Sequence, residues 1–177
     1  MRHIKTTAAL VLCIIVMQYL HELGHALMSK WLGYDVAMTV NKVHSSGGEG
    51  AAPLVHSILI ALAGPLVTIA LSVLAYLNRH RLGALALIIT FNAMIMRMIA
   101  AAVSVSHPND EAWVSQTLGI GMWTLPLLVC ALLSGIFIAV LREQKPGWPW
   151  YLAMWAGVSI GYSTVVLGER YFPSFAF

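Results

Sequence analysis

The sequence predicts an all-α polytopic membrane protein of about five transmembrane helices, with a short membrane-associated β-segment after the first. Three observations predict it. Hydrophobic residues make up 59% of the 177 residues and charged residues only 10%, where a soluble domain carries about 25% charged residues. The mean hydropathy is +0.80. Five apolar stretches each approach the roughly 20 residues that cross a bilayer as a helix. Lipid offers backbone groups no partners, so only helices or closed barrels span it. The apolar runs lack the alternation of barrel strands, which leaves helices.

The first run, about Thr7 to Met28, follows a basic start at Arg2 and Lys5. It imitates a signal peptide. Where a small-residue cleavage site would stand come Gln18, Tyr19 and a polar cluster, so it reads as a retained span. In the next segment Tyr34, Val36, Met38 and Val40 alternate with Asp35, Ala37, Thr39 and Asn41. That period of two is a strand signal, and the following "SSGGEG" is a flexible turn. The second span runs from about Pro53 to Leu77 and the third from Leu82 to Val105, joined by the basic turn "NRHR". The fourth spans Gly119 to Leu141. "REQKPG" then breaks the pattern before a fifth span, Trp148 to Leu167. Trp148, Trp150 and Tyr151 form an interfacial belt at its start. "GVSIG" within it is a GxxxG pattern suited to helix packing.

No composition shift divides the chain, so residues 1–177 read as a single membrane-embedded domain. The net charge of +3 sits in loops, and no Lys/Arg run supports nucleic-acid binding. Cys13 and Cys130 lie far apart in apolar runs and read as free buried thiols. Arg2, Lys5, Arg79, Arg81, Arg142 and Lys145 fall on one side of the predicted topology, and Lys30, Lys42 and Arg170 on the other. That excess favours a cytoplasmic N-terminus.

The chemistry concentrates in "HELGH", His21 to His25, late in the first span. Residues four apart on a helix differ by about 40° around the axis and about 6 Å along it. Both imidazoles therefore reach one metal ion, and Glu22 faces the same site without ligating. Two histidines holding Zn²⁺ beside a glutamate that takes a proton from bound water is a zinc-hydrolase arrangement. Random placement of this chain's His and Glu residues gives His-Glu-x-x-His about 0.008 times per chain. A carboxylate near mid-membrane costs about 2.5–3.5 kcal/mol. Catalysis explains why one stands there.

Zinc needs a third protein ligand and an open position. Because spans alternate direction, the end of the first, start of the second, end of the third and start of the fourth share a side. Asp110 is the expected ligand: Pro108 and Asn109 before it favour a helix start, where it would otherwise cap the fourth helix. Glu111, His107, His44 and His56 are the alternatives on that side; His3 and His80 fall at the other end.

"HELGHALMSKWLGYDVAMTV" resembles the site-2 protease family of intramembrane zinc metalloproteases, in which an early HExxH span precedes a membrane-associated β-segment. "ALAGPLV", Ala61 to Val67, is similar to that family's Ala-Gly-Pro motif, although Thr68 stands where the family usually has Asn. "SHPNDEA" holds Pro, Asn and Asp but lacks the Leu-Asp-Gly of the family's third element. The likeness covers roughly residues 8 to 115 and implies a metalloprotease core of about 8–141 with an extra C-terminal span of about 148–168. It also implies Zn²⁺ as cofactor, a transmembrane protein or peptide as substrate, and a multi-pass location, with a prokaryotic cell membrane as the expected setting. It implies a site open to the cytosol, opposite to the charge count.

A scissile amide in lipid is protected by helical hydrogen bonds and lacks water. The strand at Tyr34 to Val40 is suited to pairing with unwound substrate, and Gly64-Pro65 to bending the second helix near the metal. Asn92 and Arg97 lie near the middle of the third span. Arg97 is costly there unless paired; it is expected either to neutralise Asp110 or Glu111 or to stabilise an oxyanion. Asn92 is expected to bond substrate backbone or a neighbouring helix. The competing classes are a membrane metal-binding protein or transporter, and a non-catalytic relative that chaperones membrane segments.

Overall fold

The computed structural model describes residues 2–46 and 52–177. Helix α1 runs from Arg2 to Trp31, followed by strands β1 (Asp35–Met38) and β2 (Val43–Ser46). Then come α2 (Leu54–Leu77), α3 (Arg79–Leu82), α4 (Ala84–Val103), α5 (Asp110–Thr117), α6 (Thr124–Gln144) and α7 (Trp148–Leu167). A 3₁₀ turn at Glu169–Tyr171 and strand β3 (Phe175–Ala176) complete the chain. Five of these helices, α1, α2, α4, α6 and α7, are long and apolar enough to cross a membrane. Many of their large apolar side chains point outward, Leu12, Leu74 and Leu127 among them, as lipid-facing surfaces require.

The spans agree with the expected ones to within a few residues, and three details differ. "NRHR" is a short helix, α3, rather than a bare turn. Asp110 does not cap the fourth span. It opens the separate eight-residue helix α5, with Asn109 at the N-cap, and Gly119 and Gly121, both with positive φ, turn the chain into α6. The β-segment has three strands where one was expected. Most of the turn expected at "SSGGEG", residues 47–50, lies outside the described residues.

Helix α1 ends where Gly33 takes φ +90. The Gly33 N–H donates to the Lys30 carbonyl and the Tyr34 N–H to that of Ser29, a Schellman stop that satisfies the last helical carbonyls. β1 departs from it with Val36 and Met38 buried and Asp35 and Ala37 outward, the alternation legible in the sequence. The sheet order is β2-β1-β3, antiparallel on both sides. β1 is therefore the central strand, and β3, from the far end of the chain, occupies its second edge. Val36 and Met38 pack on Ala26 of α1, while Tyr19 meets Phe172 and Phe175 edge-on.

α7 packs against α1 in the same direction. Thr7 donates to the Ala153 carbonyl at 3.1 Å. The GxxxG glycines face α1: a Cβ on Gly157 would come within 2.7 Å of Leu10 and one on Gly161 within 2.5 Å of Ile14. Leu10 and Ile14 are fully buried, so the pattern is a packing device here. Extra methylenes in a tight core cost about 1–3 kcal/mol. Gly161→Val is expected to lower the thermal midpoint in detergent. Gly135→Val, on an open face of α6, is expected to leave it unchanged.

Candidate metal centre

Helix α1 carries His21 and His25 one turn apart, and both are buried. About 15 Å of helix follows His21 and about 9 Å follows His25. Their closeness to α2 depends on two glycines. A Cβ on Gly64 would collide with the Nε2 of His25 and stand 2.7 Å from the Cε1 of His21. A Cβ on Gly24 would meet the Ala63 carbonyl oxygen at 2.9 Å. Helix α2 continues from Leu54 to Leu77 with Pro65 inside it. Room for the imidazoles comes from the missing side chain of Gly64.

The hydrogen bonds assign the ring tautomers. His25 Nδ1 lies 2.7 Å from the Ile60 carbonyl oxygen, which only accepts, so Nδ1 carries the proton. His21 Nδ1 lies 3.0 Å from Thr68 Oγ1, and that hydroxyl donates to the Gly64 carbonyl, so it accepts from His21. Thr68 thus orients a ring. With each Nδ1 protonated, neutral histidines expose a bare lone pair at Nε2.

Those lone pairs converge. His21 Nε2 and His25 Nε2 are 3.2 Å apart. Asp110 Oδ2 lies 3.2 Å from the first, and Asp110 Oδ1 lies 3.7 Å from the second. Ligand atoms about 2.0–2.2 Å from a small tetrahedral cation stand roughly 3.3–3.6 Å apart. His21, His25 and Asp110 together can hold a metal ion. Burial pushes the Asp110 carboxyl up, and its two histidine neighbours more than reverse this, holding it well below the usual carboxylate range.

Of the alternatives to Asp110, none joins this cluster among the described residues. Glu111 turns to Arg97. His107 lies in the exposed turn after α4, His44 on β2, and His56 pairs through Nδ1 with the Tyr34 hydroxyl at 2.9 Å. His80 lies at the other end against Glu143. Arg97 is buried, with Nη1 3.4 Å from Asp110 and Nε 3.5 Å from Glu111; of its two expected roles, charge neutralisation matches this placement. Asn92 is not part of the centre. It is fully buried between helices, donating to Met17 Sδ and accepting from the Tyr162 hydroxyl at 3.1 Å, the interhelical role.

The centre opens into a cavity of about 650 Å³ lined by Glu22, both histidines, Asp110 and Arg97. β2 contributes Val43, His44 and Ser45, and α7 contributes Tyr162, Val165 and Val166. Glu22 is buried, its Oε1 accepting from Gln18 Nε2 at 3.1 Å. Sequence reasoning did not single out Gln18, Thr68 as a ring partner, or Gly64 as a contact. The fold and site together define a multi-pass helical membrane protein with a buried His-His-Asp centre.

No protein-family model matches the sequence, and no characterised protein or solved structure matches the chain.

Gly64→Ala is expected to push the imidazoles apart and abolish stoichiometric binding of a divalent metal, measured by elemental analysis, with helix content unchanged by circular dichroism. Thr68→Val is expected to weaken binding about 10- to 100-fold, the usual effect of removing a ligand's hydrogen-bond partner.

Proposed function

We propose that this protein is a membrane-embedded zinc metalloprotease that hydrolyses peptide bonds in or near transmembrane segments. One observation carries the reading: two ring nitrogens with their other protons committed converge with a carboxylate, in a cavity that also holds a buried glutamate. Two histidines and a carboxylate are a zinc ligand set that leaves a fourth position open. When bound, zinc acidifies a water and polarises a carbonyl.

The chain's own residues supply the rest. Gln18 occupies Oε1 of Glu22, which leaves Oε2 to accept a proton from the attacking water and return it to the leaving amine. Thr68 and the Ile60 carbonyl hold the two rings so that Nε2 faces the cavity. The scissile segment must arrive extended. β1 cannot receive it, because β2 and β3 occupy both its edges; this corrects the expectation that the Tyr34–Val40 strand pairs with substrate. β2 lines the cavity and has a free outer edge among the described residues, so strand addition falls to Val43–Ser46. The substrate is a transmembrane protein or peptide reached within the bilayer, and the resemblance favours a prokaryotic cell membrane. A transporter would need further ligands along a path. Among the described residues no second cluster of this kind exists.

Glu22→Gln is expected to retain zinc and the folded state while hydrolysis of a single-span substrate in detergent or liposomes falls at least about 100-fold. A chelator is expected to stop the wild-type reaction and added zinc to restore it. Normal turnover by Glu22→Gln would remove Glu22 from the proton-transfer role.

A further inference from the structure

Arg97 poses a problem for a cation site. Its guanidinium is buried, and Nη1 stands 3.4 Å from Asp110 Oδ2 and 3.5 Å from His21 Nε2. A fixed positive charge therefore lies beside two of the three ligand groups. It opposes an incoming metal ion by repulsion and competes with it for the Asp110 carboxylate.

Glu111 answers that charge from the other side. It is 4% exposed, on the first turn of α5, with Oε1 3.5 Å from Arg97 Nε. Neither that oxygen nor that nitrogen has a hydrogen-bond partner, so the two hold each other by charge in a place where an unpaired charge is costly. The guanidinium is shared between Asp110, which the metal needs, and Glu111, which it does not. Asp110 and Glu111 are successive residues of one short helix. Whatever holds Arg97 on Glu111 leaves Asp110 free for the metal.

Among the described residues the other cationic residue lining the cavity, Lys42, is exposed, as is His44.

Resting on the metal-site reading above, we infer that Glu111 is a positioning residue that acts through Arg97: it draws the guanidinium off Asp110 and so sets the affinity of the centre for a divalent metal. The assignment makes the two residues interdependent. Loss of Glu111 alone leaves Arg97 with Asp110 as its only ion-pair partner among the described residues. Loss of both removes the competitor together with its counterweight.

The test is a zinc titration of the full-length protein in detergent against a chromogenic chelator, with Co²⁺ absorption as a second readout of ligand geometry. Glu111→Gln is expected to weaken zinc binding about 10- to 100-fold and to diminish the tetrahedral Co²⁺ bands. Glu111→Asp is expected to retain most of the affinity. The double variant Arg97→Gln/Glu111→Gln is expected to bind zinc more tightly than Glu111→Gln alone. A residue that only holds the fold would make the double variant as weak as the single or weaker, and that result overturns the assignment. So does a Glu111→Gln protein that binds zinc as the wild type does. Circular dichroism and thermal melting of each variant identify a misfolded one, and the double variant then decides the question through its own affinity. A wild type that holds no zinc overturns the metal centre itself, a failure distinct from these.

Discussion

Helix α2 can lie against two imidazoles of α1 only because Gly64 has no side chain. That close crossing is the constraint on which the centre depends. It brings the Ile60 carbonyl and the Thr68 hydroxyl to the Nδ1 atoms and thereby turns both Nε2 atoms toward one point. A methyl group at the crossing would separate the helices, and each ring would be free to rotate or to protonate at the other nitrogen. In a bilayer the consequence is sharper than in water, since a mispaired ring nitrogen has little else to bond.

The crossing also decides how much polarity the membrane layer must carry. Glu22, Asp110, Arg97, His21 and His25 line one cavity between α1, α2, α4 and α5, with Glu111 behind Arg97. Each would be costly alone. Placed together, with Arg97 between Asp110 and Glu111 and Asp110 beside both histidines, they offset one another. The apolar clusters toward the opposite end, around Leu10, Ile14 and Trp150, and the α1–α7 glycine contact supply the rigidity that holds this polar end in register.

Much of this was legible in the sequence, and the legible parts have a common character. The five spans follow from runs of apolar residues, because a helix in lipid satisfies its own backbone wherever the run is long enough. The β-segment after α1 follows from a period of two, and the alternation of Val36 and Met38 with Asp35 and Ala37 is the one found. The third strand was not foreseen, since β3 comes from residues about 140 positions away in the chain and carries no alternation long enough to detect. Asp110 was singled out from topology. That it opens its own helix was missed, because about two turns of mixed residues before an apolar run look the same whether or not two glycines later redirect the chain.

The sequence by itself determined what is local: where the helices run, and that His21, Glu22 and His25 share a helix face, since backbone geometry sets the angle between positions one and four apart. Tertiary structure alone decided which carboxylate meets those histidines, why Gly64 and Thr68 matter, and which acid Arg97 shares. Those facts depend on which helix faces meet and at what depth. Distant side chains settle that by packing, and no short stretch of the chain records it.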